Sequence, residues 1–269
     1  MKAHTTAAAV AAVCLLINAA ASCRAATMQF DDDNWHFIAP TFYMWLFQTS
    51  GNLTLQGTTH DADLSIGGVL DHTDSNFQIY LEADKGDWGF CVEPTFLSFS
   101  GNTTEGGQQF KNSVDIILVD FSATYRVWHT TAPKPMSLCL LAGGRYWNFD
   151  THANGVGAAP NASAHLDIID PVVGARFRMD VTKKFQFGIR SDIGGFGLTD
   201  KESHLTWQAL MHADYDVTKY FAVFGGYRAL SLDYDEGRGF TDKGVDVTFF
   251  GPIVGVNFDI FGWLADRKK

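Results

Sequence analysis

The chain has 269 residues, 46% of them apolar and 14% aromatic, with a formal net charge of −10. That length holds one large β domain or two small ones. The acidic balance argues against nucleic acid as a partner, because a nucleic-acid-binding surface carries a basic footprint.

Residues 1–25 read as a secretory signal. A weakly basic start at Lys2 and His4 precedes an apolar run from Ala7 to Ala21, and small residues lead to a cut near Ala25. The run is too short to cross a bilayer as a helix. A lipidated Cys23 is the alternative, although Ala20-Ala21-Ser22-Cys23 lacks the leucine expected three places before the cysteine. Removing residues 1–25 takes away Lys2 and Arg24 and no acids, so the charge goes from −10 to −12. A short segment, 26–34, holds Asp31-Asp32-Asp33, a solvated acidic stretch ahead of the main domain at 35–261 and a tail at 262–269.

From Trp35 onward, aromatic and β-branched segments alternate with turn clusters and show no long helical period. Strands are expected near 35–48, 74–84, 88–98, 113–128, 137–149, 164–181, 185–197, 204–216, 220–234 and 245–261. A weaker pair sits near 51–57 and 61–67. Short connectors at 85–87, 130–135, 182–184 and 217–219 alternate with longer ones near 99–112, 150–163, 198–203 and 235–244. Outer-membrane barrels sort their connectors this way, and soluble sandwiches have no reason to. The strand number should be even, ten if 49–73 is an excursion and twelve if the weak pair crosses.

Side chains alternate between faces along these segments. Phe77, Ile79, Leu81 and Ala83 interleave with Gln78, Tyr80, Glu82 and Asp84. Ile169, Val173, Ala175, Phe177 and Met179 interleave with Asp170, Arg176, Arg178 and Asp180. In a barrel the first set meets lipid and the second the lumen. The segment 220–234 is less regular, since Arg228 shares its face with Phe224, Leu230 and Leu232; a bulge or an apolar lumen patch accounts for that. Cys91 and Cys139 fall on the lumen side with a strand between them, roughly 9–10 Å apart. That is too far for a disulfide.

Gly255-Val256-Asn257-Phe258-Asp259-Ile260 carries the spacing of a closing barrel strand. Further marks are Trp35 with Pro40 and Trp45, Lys85-Gly86-Asp87-Trp88-Gly89, and Gly144-Arg145-Tyr146-Trp147. Asp170-Pro171-Val172-Val173-Gly174-Ala175-Arg176, Asp192-Ile193-Gly194-Gly195-Phe196-Gly197, Gly226-Tyr227-Arg228-Ala229-Leu230 and Gly251-Pro252 complete the set. In these the chain resembles bacterial outer-membrane β-barrel proteins loosely called OmpA-like, most of them without an assigned function. The resemblance spans nearly the whole mature chain. It implies an all-β, transmembrane, antiparallel up-and-down barrel in a Gram-negative outer membrane, with membrane lipid and the barrel-assembly machinery as partners.

The residues of interest are the lumen-side charges Glu82, Glu93, Asp120, Arg126, Arg145, Asp170, Arg176, Arg178, Arg190, Asp192, Arg228 and Asp259. Acids and arginines are nearly balanced there, which suits a self-satisfied network bracing a narrow barrel; a pore lining is the other reading. No cofactor motif and no HExxH-type metal spacing is present. Ser203 precedes His204, and His212 lies near Asp214, yet no local triad signature emerges. The expectation is therefore a non-enzymatic structural protein or narrow channel. An outer-membrane enzyme acting on lipid or peptide at the outer rim and a soluble β-sandwich are the alternatives.

Overall fold

The computed structural model describes residues 35–55, 58–105, 108–131, 133–157, 161–199, 201–237 and 243–259. The expected signal, the segment 26–34 and the tail lie outside the described residues. The strands are β1 (His36–Trp45), β2 (Gln48–Leu55), β3 (Thr58–Asp61), β4 (Thr73–Lys85), β5 (Trp88–Glu105) and β6 (Gln108–Thr130). They continue with β7 (Met136–Gly155), β8 (Ala162–Asp180), β9 (Phe185–Gly195), β10 (Leu205–Asp216), β11 (Phe221–Glu236) and β12 (Lys243–Phe258). One helix, α1 (Ile66–His72), precedes β4.

From β4 to β12 each strand pairs antiparallel with the next, and β1 closes the cylinder by pairing with both β4 and β12. Beyond Trp45 the chain stays on the same edge of β12 as β2, from Gln48 opposite Phe250 to Leu55 opposite Lys243. Together β1 and β2 make one stave, so the barrel is closed and ten-stranded. At the joint the Leu46 amide donates to the Pro252 carbonyl at 2.9 Å. A Cβ on Gly251 would stand 2.2 Å from the Leu46 oxygen, so only glycine lets the broken stave lie this close. The weak pair of segments does not cross. It forms a β2–β3 hairpin that leads into α1, whose Val69 is buried against the lumen cluster.

The four connections at 86–87, 131–135, 181–184 and 217–220 are short, and this end is termed lower. The upper connectors differ from expectation. β5 runs to Glu105 and β6 restarts at Gln108; β7 ends at Gly155 and β8 begins at Ala162; β11 ends at Glu236 and β12 begins at Lys243. The Gly-, Asn- and Thr-rich segments 99–105, 108–112 and 150–155 are hairpin arms, and the described residues of 196–204 form a loop. Such composition fits a strand equally well once its outer face stands in water.

The faces fall as the alternation requires, within one band. Phe90, Phe96, Phe121, Leu140, Ile169, Val173, Ile189, Met211 and Val254 are exposed outward, while Gln78, Glu93, Asp120, Arg145, Asp192 and Gln208 are buried inward. Cys91 and Cys139 are buried and unpaired, with β6 between them. Along β7 the apolar outer face runs from Leu138 to Tyr146, and along β8 from Met179 to Ile169. That is roughly ten residues per strand, the number a tilted strand needs to cross a bilayer. Trp35, Trp88, Tyr125, Trp128 and Tyr215 are exposed around its lower margin, as an interfacial aromatic girdle.

Above the band the pattern inverts. The outward positions become Asp115, Asn148, Asp150, Asp167, His165 and Asp246. The inward ones become Leu97, Ile116, Trp147, Ile168, Leu230, Leu232, Val245, Val247 and Phe249, all buried. The irregularity around Arg228 is thus an apolar lumen patch, where the same strand face passes from a polar transmembrane lumen into a core built like that of a soluble protein. On the outer side of this cuff Tyr146, Asn148 and His165 converge on Asp167 at 2.5, 2.9 and 2.8 Å. Hydrogen bonds from Tyr146 and then Asn148 hold that carboxyl down at about 2.

Candidate functional site

The inward side chains form two charged layers capped by an apolar one. In the middle layer each guanidinium touches two carboxylates. Arg145 Nε donates to Asp120 Oδ1 at 2.7 Å and its Nη2 to Asp192 Oδ1 at 2.8 Å. Arg228 Nη2 donates to Asp120 Oδ2 at 3.0 Å and its Nη1 to Glu93 Oε1 at 2.9 Å. Arg190 Nε donates to Asp192 Oδ2 at 2.9 Å, and its Nη1 lies 3.6 Å from Glu93 Oε2. The sequence Arg145–Asp120–Arg228–Glu93–Arg190–Asp192 therefore closes on itself as a ring of alternating charge across the lumen.

Neutral groups take up remaining valences. Thr206 Oγ1 accepts from Arg145 at 3.0 Å, Gln208 Oε1 from Arg228 at 2.8 Å, and the Tyr43 hydroxyl donates to Glu93. The Arg228 guanidinium also lies 4.9 Å above the Trp45 ring. Every ionised member of the ring is at least nine-tenths buried. Breaking a pair at such depth leaves a charge in low dielectric without its counter-charge.

The lower layer is built on Glu82. Arg176 Nη2 lies 2.6 Å from Glu82 Oε1, Arg178 binds the other oxygen, and the Tyr80 hydroxyl donates to that oxygen at 2.6 Å. Across the lower mouth His212 Nδ1 is 2.9 Å from Asp214 Oδ2, and Asn257 Nδ2 donates to Asp214 Oδ1 at 2.9 Å. Above the ring, Trp147 stacks on Phe149 and Phe249, and Phe249 meets Trp45 and Phe47.

Of the twelve lumen charges expected, nine divide between the two layers: Glu93, Asp120, Arg145, Arg190, Asp192 and Arg228 in the ring, Glu82, Arg176 and Arg178 below it. Three stand apart. Asp170 lies opposite Arg145 in the β7–β8 register, yet its Oδ1 accepts from the Ser203 amide at 2.7 Å and so pins the 196–204 loop. Arg126 is latched to the β4–β5 turn, through Asp87 Oδ1 at 3.0 Å and the Gly86 carbonyl at 2.6 Å. Asp259 is buried at the lower mouth, where its amide donates to the Tyr220 carbonyl at 2.8 Å. Sequence reasoning placed Thr206 and Gln208 on the lumen face without joining them to the charges, and missed Tyr43. Their signal was alternation alone, because each occupies an inward register position between apolar outward neighbours.

At the upper rim the structure joins His204 to Asp235, 2.5 Å apart and both exposed, through strand pairing and not through proximity in sequence. Ser203 faces away from this pair and is fully buried.

The architecture defines an outer-membrane-type β-barrel with an ion-paired lumen. No protein-family profile matches the chain, and no curated protein does, so the OmpA-like family is not shown. Among solved structures the chain is similar to the outer membrane protease OmpT of Escherichia coli, with a TM-score of 0.46 and 10% identity over 86% of this chain and 98% of that one. The expectation of a non-enzymatic protein is corrected by that finding, since a barrel to which this chain is similar is a protease. The expectation had rested on the balanced lumen charges and on the lack of a local catalytic signature, and in a barrel residues far apart in sequence, such as His204 and Asp235, meet through strand pairing. At this identity and TM-score the likeness supplies no residue and no reaction to this chain.

Proposed function

We propose that this chain is a sealed barrel of the bacterial outer membrane, seated with its short turns toward the periplasm, that acts at its rim and wall and not by conducting solutes. The observation that carries this reading is the closed ring of Arg145, Asp120, Arg228, Glu93, Arg190 and Asp192, overlain by Trp45, Phe47, Trp147 and Phe249. A passing ion must separate buried pairs, at about 3–5 kcal/mol for each partner removed. It must then part a packed aromatic layer. The refolded protein in planar bilayers is expected to give a flat current trace. Discrete conductance steps whose size or selectivity changes in Arg228→Gln would overturn the sealed reading.

A second reading, hydrolysis of lipid or peptide at the outer rim, is favoured by the exposed His204–Asp235 pair. A carboxylate that orients an imidazole prepares it as a general base, an effect typically of about 10²–10⁴-fold in rate. On this reading the protein cleaves a peptide or phospholipid ester, and His204→Ala lowers the rate by at least about 10²-fold with the fold intact. Wild-type protein inert toward both substrate classes would remove it.

A further inference from the structure

We infer that the lower end of the barrel docks onto anionic phospholipid headgroups through the lysines of its turns. The lower connections carry Lys134, Lys183, Lys184 and Lys219, and Lys85 ends β4 beside the first connection, all exposed. Among the described residues Asp87 is the exposed carboxylate of these turns, and it is held 2.9 Å from Arg126. Among the described residues the other acids of this end, Asp84, Asp180, Asp214 and Asp216 among them, are buried or half-buried at the mouth.

Depth supplies the second, independent argument. The aromatic girdle of Trp35, Trp88, Tyr125, Trp128 and Tyr215 marks where the hydrocarbon ends, because Trp and Tyr settle at the membrane–water interface. Lys85 is three residues from Trp88 and directly opposite it in the strand register, and Lys219 stands four residues beyond Tyr215 with its Nζ 5.0 Å from the Tyr220 ring. One short turn below the girdle is the level of the lipid phosphates. The upper end is opposite in sign. Among the described side chains Asp61, Asp63, Asp71, Asp115, Asp235 and Asp246 are exposed around the cuff, against Lys111 and Lys201. An anionic headgroup is therefore attracted at one end of the cylinder and repelled at the other, and the favourable end is the one that also sits at phosphate depth. The inference rests on the membrane-barrel fold and not on the sealing of the lumen, so a conducting barrel would leave it untouched.

The test is native mass spectrometry of the full, refolded protein in neutral detergent, titrated with phosphatidylglycerol and with phosphatidylcholine of the same chain length. The expected result is retention of phosphatidylglycerol at several-fold lower lipid concentration, with the preference shrinking as salt screens it. The combined substitutions Lys183→Gln, Lys184→Gln and Lys219→Gln should cut that preference at least about fivefold, while Lys111→Gln leaves it unchanged. Heat-modifiable migration on a detergent gel confirms that each variant is folded. Equal retention of both lipids by the wild type, or a preference that survives the triple substitution, overturns the inference. Lysine-dependent sedimentation with purified cell wall, without lipid preference, overturns it in favour of a wall contact.

Discussion

Arg145→Ala is expected to destabilise the barrel by about 3–5 kcal/mol, because it strands Asp120 and Asp192 in the middle of the lumen without the guanidinium that bridges them. The measurement is the urea midpoint of the heat-modifiable band of the protein folded in lipid or detergent micelles. Arg145→Lys should fall between wild type and Ala. An ammonium keeps the charge but cannot present the fork that reaches Asp120, Asp192 and Thr206 together. Arg126→Ala is the control for residue type: it also removes a guanidinium, but its partner Asp87 is half exposed and can rehydrate, so its loss should cost clearly less than that of Arg145. If Arg145→Ala and Arg126→Ala shift the midpoint equally, the ring is not a brace.

Trp147→Ala is expected to cost a similar amount, about 3–5 kcal/mol, through the cavity it leaves in the apolar layer. Trp147 is 2% exposed and packs parallel to Phe149, with ring centroids 5.5 Å apart, and against Phe249 at 6.0 Å. On the sealed reading proposed above the ring closes the lumen without help from the aromatic layer, so this variant should remain electrically silent in planar bilayers even as its urea midpoint falls. A variant that unfolds like wild type would show that the aromatic layer is loosely packed. A variant that conducts would show that the ring alone does not close the lumen.

Much of this arrangement was legible in the chain because a strand has a period of two. The inward placement of Glu93, Asp120, Arg145 and Asp192 follows from counting residues between Phe90 and Ile193. Their closure into one ring does not, since Arg228 reaches Glu93 across 135 residues of sequence and needs both the circumference and the register of the finished barrel. That Tyr43 and Gln208 join the ring was hidden for the same reason. The connectors misled because glycine, asparagine and threonine fit a loop and a wet strand alike; only the pairing of Asn102 with Lys111 and of Asn154 with the same residue shows that these segments are hairpin arms. Leu230 and Leu232 were ambiguous because a single face changes its preferred environment halfway along β11, and a period of two carries no information on where that change falls.

That change of environment has a consequence for how the protein sits in a bilayer. Sliding the cylinder downward by one pleat would carry Asp115, Asp167 and Asp246 into hydrocarbon; sliding it upward would do the same to Lys85 and Lys219. Charge on both flanks thus gives the barrel one vertical seat, about 25 Å tall. A thicker membrane cannot be met by drawing more of the wall into lipid, because the residues beyond either margin are polar and many of them ionised. The adjustment falls to the lipid, which must thin around this wall at a cost of fractions of a kcal/mol per Å, so membrane thickness itself becomes a quantity to which this protein responds.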